Sequence, residues 1–134
     1  MILGVDPGSK RVGLAVADRE TRFARPLGVV DRDVADPVAR VVSVVDELGV
    51  DLVVVGRPVG LSGRAGPAVD AQQELVGALR EALSVAVVEH DERLTTIVAD
   101  QGLRAGGARK RSRDELRDAV AAQVMLQGYL DANP

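Results

Sequence analysis

Cysteine and tryptophan are absent from this chain of 134 residues, and its rings come down to Phe23, Tyr129 and one histidine, His90. Without cysteine there are no disulfides and no thiolate zinc sites, and a reducing compartment suits the chain better than an oxidising one. So few rings leave no stacking platform for unpaired bases, which argues against the aromatic single-strand readers of the RRM and OB type. Long apolar runs are missing as well. None reaches the ~18 residues needed to span a bilayer, and the first residues read as a strand rather than a signal peptide. No membrane partner is expected, and the expected location is the cytoplasm.

What is present has the balance of a soluble globular domain, with 46% hydrophobic and 28% charged residues. The length suits a single domain over residues 1–134 with a sizeable core. The formal net charge is −3, yet Arg104, Arg109, Lys110, Arg111 and Arg113 crowd one stretch. The acidic total therefore does not exclude nucleic acid as a partner.

The chain is organised around its start. Ile2 to Val5 suit a buried strand and run into Asp6, a Pro7-Gly8-Ser9 turn follows, and Arg11 to Ala17 alternate small and larger apolar residues as a second, antiparallel strand. That places Asp6 at the end of an interior strand. An aspartate opening a turn is also a common structural device, so Asp6 alone decides nothing.

After a turn at Asp18-Arg19-Glu20-Thr21, a third strand is expected within Ala24 to Val30. Asp36-Pro37 reads as an N-cap with proline at the first helical position, and Val38, Val41, Val42, Val45 and Leu48 recur at helical spacing before Gly49. Leu52 to Val55 is a β-branched run suited to a strand covered on both faces. Gly56 to Gly66 reads as a glycine-rich loop, either a plain connector or a backbone cradle for phosphate. Pro67 opens a second helix with Ala71, Leu75, Ala78, Leu79 and Ala82 on one face, and Val85 to Val88 forms a short buried strand ending in Glu89-His90-Asp91-Glu92-Arg93. A third helix is expected from Thr95 or Thr96 to Arg104, then a basic loop over Gly106 to Arg111. Ser112-Arg113-Asp114-Glu115 has the form of a capping box, which starts the last helix there and carries it to about Leu130. A three-stranded meander continued by β-α-β crossovers is an α/β sandwich: a five-stranded mixed sheet with helices on both faces.

In that sheet the first, fourth and fifth strands run parallel and open their carboxyl ends on one edge, where α/β proteins place their sites. Asp6 lies at one of these ends and Asp91-Glu92 at another. Asp118 is the third candidate. It lies beyond the first turn of its helix, and its neighbours Ala121, Ala122 and Met125 form an apolar stripe. Its partner is either an arginine, such as Arg117 or Arg93, or a cation shared with the other acids. Acids converging on one pocket repel one another unless cations neutralise them. Oxygen ligands with no cysteine and one histidine describe a hard ion, Mg²⁺ or Mn²⁺. The chemistry that suits such a site is phosphodiester hydrolysis. His90 beside it has the plainer reading of a surface or hydrogen-bonded histidine.

Asp6 in the Asp-x-Gly-x-x-x-x-Gly frame of residues 6–13, Ala24-Arg25-Pro26-Leu27, Val55-Gly56-Arg57-Pro58, Asp91-Glu92-Arg93-Leu94-Thr95-Thr96, and Asp118 before Ala121-Ala122 together resemble the YqgF/RuvX family. The resemblance covers nearly the whole chain, and the Asp-Glu-Arg-x-Thr-Thr block is its most specific part. It implies an RNase H-like fold and a metal-dependent nuclease whose catalytic and metal-binding acids fall on Asp6, Glu92 and Asp118, with Asp91 as a further candidate ligand. The role it implies is processing the 5′ end of pre-16S rRNA in ribosome biogenesis, with Holliday junction resolution on branched DNA as the alternative. Arg57 stands where the family more often has an aliphatic residue, and Arg117 where isoleucine is usual.

Lys10, Arg11, Arg57, Arg93, Arg109, Lys110 and Arg111 are candidate contacts to nucleic-acid phosphates; for the loop cations a solvated charge cluster is the competing reading. Structured RNA is the expected partner and branched DNA the runner-up, with either a monomer or a homodimer compatible. Two other classes compete. A non-catalytic ribosome-assembly factor would use the acids for a structural ion. An ATP-binding actin-like domain shares the opening frame, but it needs a second lobe for which the chain has no room.

Overall fold

The computed structural model describes residues 1–58, 67–91 and 110–134, with the side chains of the last stretch described from 115 onward. The chain runs β1 (Ile2–Pro7), β2 (Arg11–Ala17), β3 (Ala24–Asp31), α1 (Pro37–Leu48), β4 (Leu52–Arg57), α2 (Pro67–Ala82), β5 (Ala86–Asp91) and α3 (Lys110–Ala132). The five strands form one sheet in the order β3-β2-β1-β4-β5. The first three pair antiparallel, and β4 and β5 join β1 in parallel. The meander and the parallel half are as the sequence predicts. The expected helix near 95–104, the loop at 59–66, Glu92, Arg93 and Arg109 lie outside the described residues.

Strand alternation sorts the side chains into two layers. Leu3 and Val5 of β1, Val12, Leu14 and Val16 of β2, and Val53 and Val55 of β4 pack against Val41, Val44 and Val45 of α1 and Leu75, Val76 and Leu79 of α2. On the opposite face Ile2, Ala15, Ala17 and Val54 meet Ala122, Met125, Leu126 and Leu130 of α3. Gly4, Gly13, Ala15 and Ala17 on the sheet side of this layer let α3 lie close to the sheet. A Cβ on Gly4 would stand 2.9 Å from the Leu126 Cβ, and one on Gly13 only 2.1 Å from the Asp118 carbonyl oxygen. Glycine at 13 is thus the condition for α3 to cross β2 where it does.

The tilt of α3 is fixed at its other end by polar contacts to β3 and the turn before it. Gln127 Oε1 accepts from the Ala24 amide at 2.8 Å, Gln123 Nε2 donates to the Ala24 carbonyl at 3.1 Å, and the Arg22 guanidinium donates to the carbonyls of Leu130 and Asn133 at 2.7 Å each. Buried backbone groups at a sheet edge and a helix end are satisfied together. Arg22 adopts a left-handed backbone (φ 58°) to reach there.

Helix α1 has the expected boundaries: Asp36 accepts from the Val38 amide, Pro37 opens the first turn, and Gly49 closes it at φ 65° with its amide on the Val45 carbonyl. Its inward stripe is Pro37, Val41, Val44 and Val45, so the expected face is rotated and Leu48 is exposed at 36%. In α2 the buried residues are Gln72, Leu75, Val76 and Leu79, while Ala71 and Ala82 face solvent. The bulkier Val76 fills the layer in place of the alanines, and Gln72 is admitted because its amide finds a partner on β5.

Helix α3 begins at Lys110, ahead of the Ser112 expected to cap it. Lys110 and Arg111 are good helix formers, and the helix extends through them. The last strand also differs. It is an edge strand over Ala86–Asp91 with Ala86 exposed, so Glu89, His90 and Asp91 belong to it rather than follow it. Likewise Gly56 and Arg57 are in β4, paired with His90 and Asp91. No helix among the described residues is long and apolar enough to cross a membrane.

Candidate functional site

Asp6 is the last but one residue of β1, half-buried, and its Cα partner on β2 is Gly13. Alternation from Ile2 and Gly4, both under α3, puts Asp6 on the α3 face. Gly13 is also the residue on which the Asp118 backbone rests. One missing Cβ therefore brings a strand carboxylate and a helix carboxylate, 112 positions apart by subtraction of their residue numbers, to the same end of the same face. Asp118 has the apolar surroundings expected of it: Ala121, Ala122 and Met125 are at most 3% exposed.

The partner of Asp118 comes from the sheet. Arg11, the first residue of β2, donates from Nε to the Asp118 Oδ2 at 2.5 Å, and about a quarter of each side chain is exposed (26% and 23%). Of the expected partners, Arg117 is not in this pair and Arg93 lies outside the described residues. Nothing local in the sequence marks Arg11 for it, because the pairing exists only once α3 is laid across β2.

The β1–β2 turn is tight. A Cβ on Gly8 would meet the Arg11 carbonyl oxygen, and Arg32, from the segment after β3, donates to the Gly8 carbonyl at 2.8 Å while its amide donates to the Lys10 carbonyl at 2.9 Å. Arg32 was not among the candidates, and it holds the hairpin that carries Asp6, Lys10 and Arg11. Lys10 is exposed at the tip. A cleft of about 490 Å³ on one side of this hairpin is lined by Arg11, Val29, Asp31, Glu115 and Leu116. A second, of about 440 Å³, lies between Gly8, Ser9, Arg32 and the start of α2.

Across the parallel strands the register runs Val5, Val55, Glu89. One step further Gly56 pairs with His90, and on β1 Asp6 follows Val5. His90 lies on the α3 face, where its ring meets Tyr129 edge-on, with centroids 5.9 Å apart and planes at 83°. The histidine is thus half-buried and held by a ring contact, where a surface or hydrogen-bonded one was expected. Asp91 is exposed at the end of β5 opposite Arg57, and alternation from Val87 and Glu89 puts it on the α2 face, away from Asp6.

Glu89 is the acid that sequence reasoning passed over. Its Oε1 accepts from Gln72 Nε2 at 2.9 Å and from Gln73 Nε2 at 2.6 Å, and Gln72 is the one polar side chain buried in the described core. The hydrogen bond from Gln72, helped by Gln73 and by the charges of Arg57 and Arg80, holds the Glu89 carboxyl below its ordinary value against the opposing pull of burial. A polar residue on a helix's inner face three residues before a leucine is the only signal the sequence carries for it.

Among the described residues no group of three or more acid, imidazole or thiol side chains forms a ready cage for a metal. The described part of the site supplies two carboxylates, Asp6 and Asp118, and no nitrogen or sulfur donor among the candidates. That donor set fits a hard divalent cation that keeps several waters. Glu92 lies outside the described residues, as do the side chains of Lys110 and Arg111.

Residues 1–132 match the model of the family described as "RuvX: Holliday junction resolvase". A protein of Chloroflexus aggregans named "Putative pre-16S rRNA nuclease" is 42% identical over 132 residues, covering 98% of this chain and 93% of the relative. One of the same name from Geobacillus kaustophilus is 38% identical over 133 residues, covering 97% of this chain and 96% of its own length. Among solved structures, RuvC of T. thermophilus in complex with a Holliday junction substrate superposes with a TM-score of 0.58 at 21% identity, covering 98% of this chain and 93% of that one. The five-stranded mixed sheet with helices on both faces is an RNase H-like fold.

Proposed function

This chain belongs to the RuvX family, and from that premise we propose that it is a divalent-cation-dependent nuclease that hydrolyses phosphodiester bonds at the 5′ end of pre-16S rRNA, in the cytoplasm. The observation that carries the reading is the convergence of Asp6 and Asp118 through Gly13 at the carboxyl edge of the parallel strands. Two acids brought to one end of one face by rigid elements suit a site that binds a cation.

Asp6 and Asp118, with Glu92, would hold Mg²⁺ or Mn²⁺. The bound ion supplies an activated water and charge stabilisation at the scissile phosphate. The chain's own part is placement. The ladder to β2 fixes the backbone that carries Asp6 and the packing of α3 fixes the backbone that carries Asp118, so both acids are presented from rigid elements. Lys10 at the hairpin tip, Arg57 at the end of β4 and the cations of 109–111 would contact backbone phosphates, which positions nucleic acid without reading its sequence. Their charge also offsets the acids of the site.

The family description favours a second reading, resolution of branched DNA. Resolution requires two sites facing one junction, hence a two-fold dimer. The test is cleavage of a precursor 16S leader RNA and of a four-way DNA junction at equal salt, with Mg²⁺, with Mn²⁺ and with chelator, alongside the mass in solution. Cation-dependent cleavage of the leader is the expected result. A dimer that nicks the junction in symmetric pairs and spares the RNA establishes the second reading instead, and full cleavage in chelator removes the metal.

A further inference from the structure

Arg11 and Asp118 are 107 positions apart and meet in a short, partly shielded ion pair. A guanidinium at that distance fixes the carboxylate's orientation. Asp118 is also an acid that the proposed function assigns to a divalent cation. A cation on either of its oxygens would stand a few ångström from the guanidinium, and like charges that close repel. The ion pair and the bound cation are therefore alternatives.

We propose that Arg11 is a positioning residue of this site: it holds Asp118 in the resting protein, yields it to the divalent cation, and is thereby released to a phosphate of the nucleic acid. This rests on the nuclease reading of the same site. The surroundings permit the exchange. Arg11 follows the hairpin turn, and it lines the cleft of about 490 Å³ next to α3, so its side chain has open space to move through without disturbing either core layer. Lys10 beside it is exposed and would meet the same backbone. The consequence is cooperative loading. Cation and nucleic acid each take one partner of the pair, so whichever binds first breaks the pair and the second no longer has to.

The test is Mn²⁺ titration of the whole chain, reading free Mn²⁺ by its spin resonance, for the wild type, Arg11→Met and Arg32→Met. Arg11→Met keeps an apolar stem and removes the charge. Arg32→Met removes the same charge from a residue that serves a carbonyl of the same hairpin. Arg11→Met should bind Mn²⁺ about five- to tenfold tighter, on the scale of a partly shielded ion pair, and Arg32→Met, which loosens the hairpin carrying Asp6, should bind it no tighter than wild type. A second readout is leader-RNA affinity, which Arg11→Met should weaken when Ca²⁺ is present and leave unchanged in chelator. If Arg11→Met does not fold, Arg11→Lys, which keeps the charge but loses the planar fork, should tighten Mn²⁺ binding by a smaller factor. Unchanged or weaker Mn²⁺ binding in a folded Arg11 variant, or equal tightening in Arg32→Met, overturns the inference while wild-type cleavage leaves the nuclease reading standing. A wild-type protein that binds no Mn²⁺ overturns both.

Discussion

The two faces of the sheet treat their acids differently. On the α2 face, Glu89 is met by two neutral amides from one helix, Gln72 and Gln73, over a layer of valine and leucine. On the α3 face, Asp6 and Asp118 lie at the same end, either side of Gly13, and Asp118 is met at the rim by the guanidinium of Arg11. Amides that donate to a carboxylate leave it charged and fixed, with no net charge added to draw in a second ligand. A carboxylate paired to a cation can exchange that cation for another. Under the proposed function the amide-held acid is scaffold and the cation-paired acid is available for chemistry.

The sharpest way to break the contrast is to fill the gap that creates the α3 face. A Cβ at position 13 collides with backbone, which cannot rotate away. Gly13→Ala should therefore push α3 off β2 and destabilise the protein by about 3 kcal/mol, the upper part of the range for overpacking. Urea melts measure this, and nuclease activity should fall with it because Asp118 moves. A Gly13→Ala protein as stable as wild type would mean that α3 does not lie where it is described.

Smaller effects are expected on the other face. Gln72→Ala removes a buried amide and leaves Glu89 short of a donor, at a cost of about 2 kcal/mol, and activity of the folded fraction should be retained. Activity lost out of proportion to stability would move Glu89 into the catalytic machinery.

Glu89→Gln probes the same cluster through pH. The folded-state carboxyl lies below its ordinary value of 4.5, so its charged form contributes stability that is present above the unfolded pKa and is lost as pH falls through the folded one. Melting temperature against pH should therefore be flatter below about pH 4.5 in Glu89→Gln than in wild type. Parallel acid limbs in the two proteins would remove Gln72 and Gln73 as the cause.

Elements whose signals are local were legible in the sequence. Asp36-Pro37 and Gly49 mark α1 at both ends, the Pro7-Gly8-Ser9 turn defines the first hairpin, and the β-branched run of Leu52 to Val55 announces an interior strand. Asp6 and Asp118 were singled out because an acid at a strand end and an acid on an apolar stripe both lack a local explanation. What was not legible depends on contacts across long stretches of chain. The inward face of α2 is decided by Gln72 meeting Glu89, which hydrophobic spacing counts against. Arg11 reads as an exposed hairpin cation until α3 is placed over it. The strands β4 and β5 run past their apolar residues because each supplies the other's hydrogen bonds through Arg57 and Asp91, a support that neither segment shows alone.

In the proposed nuclease the α3-face acids do the chemistry and the α2-face acid does not. Single-turnover cleavage of a precursor 16S leader in Mn²⁺ by Asp6→Asn and Glu89→Gln, each checked for native melting, tests this division most directly. A loss of about two decades or more is expected for Asp6→Asn, the scale of a positioned catalytic group, and a rate within a few-fold of wild type for Glu89→Gln. Wild-type cleavage by folded Asp6→Asn would contradict it.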